Sequence, residues 1–194
     1  ELANQIQAKG YEVTINLMAV SHARELELDE ALIQVEKESN VDALYLVDSF
    51  GALYSEQITH LAKKYKSLMP TKEIGIHAHN NQQLAFANTI EAVIQNVNFL
   101  DGTIFGIGRA AGNCPLELLL GFLKNPKYDL RPILEILESH FVKLKEEIEW
   151  GYTIPYMITG ILDLHPRAGM KLRKSDNRDN YLGFFDGLVE SDSA

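Results

Sequence analysis

The chain has 194 residues, 46% of them hydrophobic, and a formal net charge of -9, a composition for one globular domain or a domain with an appendage. The acidic balance, with no basic stripe to meet phosphates, argues against nucleic acid as a main partner. The single cysteine, Cys114, excludes an internal disulfide framework. No apolar run reaches membrane-spanning length and no signal peptide opens the sequence, so the expected setting is the cytoplasm, with no membrane partner.

In chain order, Glu1 to Gly10 (ELANQIQAKG) has a helical pattern. It does not begin with Met, so the chain is expected to be the rear part of something longer. Tyr11 to Val20 is β-branched and apolar, a strand, and Ser21-His22 follow it. Leu28 to Ser39 has helical spacing, with Asp29 placed to favour a start. Ala43 to Val47 is a short apolar strand leading to Asp48-Ser49-Phe50-Gly51, and Ser55 to Lys66 is the next helix. Glu73 to His79 reads as the third strand and Gln82 to Gln95 as the third helix. Phe99 to Phe105 reads as the fourth strand. The glycine-rich turn from Gly106 to Gly112 leads into a helix from Pro115 to Leu123, where Pro in the first turn is tolerated. From Tyr128 the pattern changes. Leu130 to Trp150 is helical with Ile133, Leu134, Leu137, Phe141 and Leu144 on one face. A second helix is expected over Tyr156 to Leu162, and the tail from Arg173 to Ala194 is mixed.

Four βα units spaced by about 30 residues predict a parallel sheet. Polar residues gather at the C-terminal ends of its strands. That edge carries the chemistry both in α/β barrels and in doubly wound sheets. Function at four successive strand ends favours a barrel, although a barrel needs eight strands and only four are counted. The most pointed chemistry is in EIGIHAHNN, Glu73 to Asn81. On a strand, His77 and His79 face the same way, about 7 Å apart along the chain. Two neutral imidazoles converging at a strand end make two-thirds of a facial metal site. The bland alternative is one packed histidine and one in a loop.

GIHAHNNQQLAFANTIEAV followed by FLDGTIFGIGRAAGNCPLE resembles the last two barrel strands of the DRE-TIM metallolyases, the HMGL-like superfamily. The resemblance covers about Tyr11 to Phe122. Within it, LMAVSH, LVDSFGALYSEQI and HAHNN resemble the 4-hydroxy-2-oxovalerate aldolases, which are pyruvate class II aldolases. GIGRAAGN also resembles the isopropylmalate synthase loop. The cysteine that HMG-CoA lyases carry inside the first glycine turn is absent, since Cys114 follows Asn113.

The resemblance implies an α/β fold: the C-terminal half (about strands 5–8) of a TIM (β/α)8 barrel in residues 1–127, with an α-helical extension in residues 128–194. It implies a divalent metal held by His77 and His79, with Asn113 near or on it. Mn2+ is expected first, with Mg2+, Co2+ and Zn2+ left open. The Asp ligand, a neighbouring Arg and a catalytic His are expected in a preceding segment of roughly 100 to 150 residues. The implied reaction cleaves or forms a carbon–carbon bond of a 4-hydroxy-2-oxo acid through a pyruvate enolate. A small 2-oxo acid is the expected partner, and a homo-oligomer or a dehydrogenase partner is left open. Two other readings stand beside this one: a Claisen-type acyl transferase using acetyl-CoA, and a non-catalytic barrel fragment or scaffold.

Several residues carry a functional and a bland reading at once. Asn113 is a ligand or its neighbour, or a cap on the helix at Pro115. Gly106, Gly108 and Gly112 make a tight turn, or bring backbone N–H groups to a substrate carboxylate. Asp48 and Ser49 are a turn or N-cap pair, or contact substrate. His22 is a surface residue or reaches the active site. Arg109 lies at a surface or interface, or binds a substrate carboxylate. Tyr152 and Tyr156, in a stretch resembling an aldolase segment, are core aromatics or catalytic groups. His140 and His165 are read as packing.

Overall fold

The computed structural model describes residues 1–192; Ser193 and Ala194, the end of the expected extension, lie outside the described residues. Helix α1 (Leu2–Gln7) buries no residue. A parallel sheet follows, its strands β1 (Thr14–Leu17), β2 (Ala43–Asp48), β3 (Glu73–Ala78) and β4 (Phe99–Leu100) lying side by side in chain order. Helices α2 (Glu25–Glu38), α3 (Ser55–Leu68), α4 (Ala85–Ile94) and α5 (Leu116–Leu123) follow the strands one by one. A doubly wound sheet reverses its strand order at a switch point and carries helices on both faces. Here the order never reverses. Leu32 of α2, Ile58 and Tyr65 of α3, Ala92 of α4 and Leu119 of α5 all join Leu44, Leu46, Ile74 and Ile76 in one core. Sequential strands with helices on a single side are the winding of a barrel.

The register pairs Val47 with His77 and Asp48 with Ala78. Side chains alternate along a strand, so Leu44, Leu46, Ile74, Ile76 and Ala78 face the helices. Ala43, Tyr45, Val47, Gly75 and His77 face the other way. On that side Ala43, Tyr45 and Val47 form a small cluster of their own. A Cβ at Gly75 would lie 2.5 Å from the Tyr45 ring, so glycine is what admits the ring there.

Two strands are shorter than their apolar runs. The first pairs only over Thr14–Leu17 and is followed by the left-handed Ala19 (φ 54). The fourth pairs only at Phe99–Leu100. Thr103 then donates its N–H to the Cys114 carbonyl at 3.0 Å, and left-handed Phe105 (φ 57) sits in a 3-10 turn over Ile104–Gly106. The chain thus leaves the ladder to fold back on its own loop.

The long C-terminal helix runs as α6 (Arg131–Ile136), one π turn (Leu137–Phe141) and α7 (Val142–Glu147). Its apolar stripe is half-buried at Ile133, Leu137, Phe141 and Leu144, while Leu134 and His140 are exposed. The expected packing face is therefore only partly covered. Helices α8 (Ile154–Ile161), α9 (Arg167–Arg173) and α10 (Tyr181–Asp192) complete the described chain. The extension packs on the C-terminal edge of the sheet. Gln82 donates its side-chain amide to the Gly160 carbonyl at 3.4 Å, Gly151 its N–H to the Ala110 carbonyl at 3.1 Å, and Trp150 its indole N–H to the Phe105 carbonyl at 2.9 Å. No helix among the described residues is long and apolar enough to cross a membrane.

Candidate metal and substrate site

His77 and His79 come together at the end of β3 with ring centroids 5.2 Å apart and planes at 80°. Each ring is held at Nδ1. His77 meets the Asp101 carboxylate at 2.9 Å, and His79 meets the Gly112 carbonyl at 3.3 Å. Both partners are acceptors, so the proton sits on Nδ1 and the Nε2 lone pairs stay available, the arrangement that outer partners impose on metal-binding histidines. Burial, reinforced by the charges of Arg109 and His77, pulls the His79 pKa down to about 4. It is neutral at pH 7, as a ligand must be. Asp101 was not singled out by sequence reasoning. Its signal was its place in FLDGT, at the end of the strand beside His77.

The glycine turn is built around Asn113. A Cβ at Gly112 (φ 84) would lie 2.0 Å from the Gly106 carbonyl oxygen, and one at Gly108 would lie 2.5 Å from Asn113 Nδ2. Asn113 donates Nδ2 to the Ile107 carbonyl at 3.1 Å, whereas its Oδ1 is buried without a partner. The residue pairs with His79 across an antiparallel bridge. The helix α5 has Pro115 at its N-cap and no side-chain cap, so Asn113 does not cap it. An orphaned buried amide oxygen on the residue bridged to His79, in a site with two free imidazole lone pairs, is a donor set that suits a cation. Among the described residues no group of three His, Cys, Asp or Glu could hold an ion, so these donors lack a carboxylate. The turn does not offer every backbone donor that was expected of it. Gly106 gives its N–H to Thr103 and Gly112 gives its own to Arg109, so neither is directed at a substrate.

The structure turns Asp48 away from this site. It shares the helix-facing parity of Leu44 and Leu46, is 1% exposed, and accepts the N–H groups of Ala52 at 2.9 Å and Leu53 at 3.3 Å. Its role is to hold the turn, and burial pushes its pKa up to about 7 against the pull of those donors. Buried Ser49 accepts the Ala19 N–H at its hydroxyl and an Arg109 Nη2 donor at its carbonyl. It fastens two rim loops together. Half-exposed His22 stacks on Phe50, with centroids 4.8 Å apart, and its Nε2 meets the Asp163 carbonyl at 2.7 Å. The His165 ring also contacts Phe50, with centroids 5.8 Å apart, and its Nε2 lies 3.2 Å from Arg109 Nη1. It belongs to the rim rather than to the packing expected of it. Neither tyrosine is joined to the histidine pair by a hydrogen bond or ring contact. Tyr152 is exposed beside Lys145 and Trp150. Tyr156 is buried against Ala110 and Ala111, and its hydroxyl donates to Glu149 at 3.1 Å. Left-handed non-glycine residues recur on this edge at Ala19, Gln83, Phe105 and Ala110. Such strain collects where a scaffold must aim groups.

The family model described as HMGL-like matches residues 1–139. The oxaloacetate decarboxylase of Mycobacterium tuberculosis is 36% identical over 118 residues, 61% of this chain and 34% of that protein. The 4-hydroxy-2-oxovalerate aldolase of Thermus thermophilus is 33% identical over 128 residues, 64% of this chain and 37% of that one. That of Geobacillus thermodenitrificans is 32% identical over 177 residues, 85% of this chain and 51% of that one. The chain thus spans about a third to a half of these curated relatives. Among solved structures, the N-terminal domain of a Bacteroides vulgatus protein described as an aldolase superposes with TM-score 0.78 at 31% identity, over 91% of this chain and 59% of that one. The Bacillus subtilis HMG-CoA lyase, at TM-score 0.60 and 20% identity over 74% of this chain and 52% of that one, shares the fold.

Proposed function

The chain belongs to the HMGL-like family, and we propose that it carries the metal-binding half of a divalent-metal-dependent carbon–carbon lyase. The reading we favour is an aldolase that cleaves or forms a bond of a 4-hydroxy-2-oxo acid through a pyruvate enolate. The observation that carries it is the histidine pair, held at both Nδ1 atoms, with the unpartnered Asn113 Oδ1 on the residue bridged to His79. The aldolase relatives support it by their names.

His77, His79 and Asn113 would hold the ion. Mn2+ is our first assignment for nitrogen and oxygen donors, ahead of Mg2+, Co2+ and Zn2+. When bound, the ion supplies Lewis acidity toward the keto oxygen of a 2-oxo acid. The chain's own residues do the rest of what we assign here. Asp101 and Gly112 fix the imidazole tautomers. The glycine turn keeps Asn113 in place. Arg109 sets a permanent positive charge on the same rim, where it favours an anionic substrate. His22, tethered at Nε2, presents Nδ1 for proton transfer. Residues 1–127 are in this reading the half-barrel, and the described residues 128–192 are its helical cover. In this reading the carboxylate ligand, and strands that pair with the open edges of β1 and β4, come from polypeptide beyond these 194 residues. A cytoplasmic location and assembly with a second copy or a dehydrogenase accompany it.

A second reading, decarboxylation of a 2-oxo diacid, is favoured by the M. tuberculosis relative. One assay separates the two. Full-length protein with Mn2+ is expected to release pyruvate from 4-hydroxy-2-oxo acids, and His77→Ala and His79→Ala are expected to lose metal and turnover together while staying folded. Pyruvate from oxaloacetate alone would favour the decarboxylase. CoA release from acetyl-CoA and a 2-oxo acid would favour an acyl transferase. Equal Mn2+ content in variants and wild type would remove the metal site.

A further inference from the structure

A cavity of about 710 Å3 lies between the β4 loop and helix α9, lined by Arg109, His165, Arg167, Lys171, Lys174 and Ser175 among others. It shares the glycine turn with the histidine pair: the Arg109 carbonyl accepts the Gly112 N–H at 2.9 Å, and the Gly112 carbonyl in turn holds His79 at 3.3 Å. The whole chain has 27 acidic side chains against 18 Lys and Arg. A cavity lined by four of those cations and no carboxylate runs against that balance. The helix explains part of it, because positions 167, 171 and 174 fall on one face. The lack of a basic stripe expected from composition does not hold at this one place.

None of the four cations has an ion-pair partner among the described residues. Their neighbour Arg173 is paired with Glu149, and Lys64 of α3 with Asp29. A solvated helix face accounts for Arg167, Lys171 and Lys174, which are exposed. It does not account for Arg109. That guanidinium is oriented by the Ser49 carbonyl at 3.0 Å, while His165, whose Nδ1 accepts the backbone N–H of Arg167 at 3.0 Å and whose Nε2 lies 3.2 Å from Arg109 Nη1, ties it to helix α9 without supplying a second acceptor. Arg109 Nε is left buried with no acceptor. A buried donor without a partner is rare enough to require an explanation. Burial and the charge of Arg167 also lower the pKa of Arg109, so these groups act on one another without an anion between them.

We propose that this cavity binds the phosphate or diphosphate group of a small molecule, and that the substrate of the neighbouring site carries that group at the end remote from its 2-oxo acid. The second clause rests on the aldolase reading; the first does not. A single carboxylate is satisfied by one Arg fork. Four cations around one cavity match a group of higher charge, and lysines serve phosphates as point charges. The volume falls in the range of small-molecule sites.

The test is calorimetric titration of the metal-free full-length protein with inorganic pyrophosphate, with phosphate and citrate as comparisons. Pyrophosphate is expected to saturate, and to bind more tightly than either. The double variant Lys171→Gln/Lys174→Gln, altered only at exposed side chains, is expected to bind it at least about tenfold more weakly, as is Arg109→Gln. His77→Ala is expected to bind it as wild type does, which separates this site from the metal site. No saturable pyrophosphate binding, unchanged binding in the double variant, or citrate binding as tight would each overturn the proposal. With phosphorylated 4-hydroxy-2-oxo acids, the double variant should raise KM and leave kcat intact; an unchanged KM would overturn the substrate clause. Pyrophosphate binding without any turnover of 2-oxo acids would uphold the anion site while the aldolase reading fell.

Discussion

The two faces of the sheet are built from alternate residues of the same strands, and they do different work. Toward the helices, Leu44, Leu46 and Ile76 are at most 2% exposed and belong to the one large core. Toward the other side, apolar packing amounts to Ala43, Tyr45 and Val47. Beside them the Phe99 ring meets Tyr45 edge-on at 6.3 Å, and the same face carries His77 with its partner Asp101. One face gains its stability from continuous apolar contact, the other from a few directed hydrogen bonds. A strand's two-residue period therefore separates the positions that hold the fold from those that place the chemistry.

The largest effect is expected on the helix-facing side. Leu46→Ala should cost about 2–5 kcal/mol in urea unfolding, by lost transfer energy and the cavity left behind. A loss below about 1 kcal/mol would mean that this face is loosely packed and that the contrast is false.

Next comes pH, where one buried group from each face opposes the other. Folded Asp48 keeps its proton up to about pH 7, whereas its ordinary value is 3.8. Its contribution is present at low pH and is lost as pH rises through 7. Folded His79 protonates only near pH 4, against 6.5 ordinarily. Its contribution is present above 6.5 and is lost as pH falls through 4. In metal-free wild type the two slopes oppose each other between pH 4 and 6.5, and stability should stay nearly level. Asp48→Asn leaves the histidine alone, so unfolding free energy should rise by about 3 kcal/mol over that window. A level profile in the variant would show that His79 is not held neutral.

The smallest effect sharpens the comparison most. Asp101→Asn should weaken Mn2+ binding by about 10- to 100-fold, since outer partners tune metal-binding histidines by that amount, or about 1.4–2.8 kcal/mol. Stability should move by no more than about 0.5 kcal/mol. Isothermal titration and urea melts on the same preparation check both halves. A melt as depressed as that of Leu46→Ala would make Asp101 a packing residue.

Much of the site was legible before the fold was. HAH on an apolar run can only put both imidazoles on one side of a strand, and the glycines of GIGRAAGN announced a turn that side chains would block. Other residues were not legible for reasons that can be named. Asp48 lies two residues past Leu46, so its parity with the core was readable. Its position at a strand end drew attention to the rim instead. Tyr156 follows a motif-like Gly-Tyr, but its hydroxyl is taken by Glu149, seven positions back and across a turn. Arg109 was read alone, as a surface or interface residue or a binder of a substrate carboxylate, and His165 as packing, so their meeting was not legible.

Amino-acid order by itself determined the four βα units, the edge where polar residues collect and the shared direction of His77 and His79. These follow from periods of 2 and 3.6 residues and from turn chemistry, which act over a few positions. Tertiary structure decided the rest. It brought Asp101 to His77 across 24 residues, Arg109 to Ser49 across 60 and Arg109 to His165 across 56. Those meetings depend on strand register, on where β4 leaves the ladder and on how α8 and α9 close over the rim. No local period encodes them, because each is set by the packing of whole elements against one another.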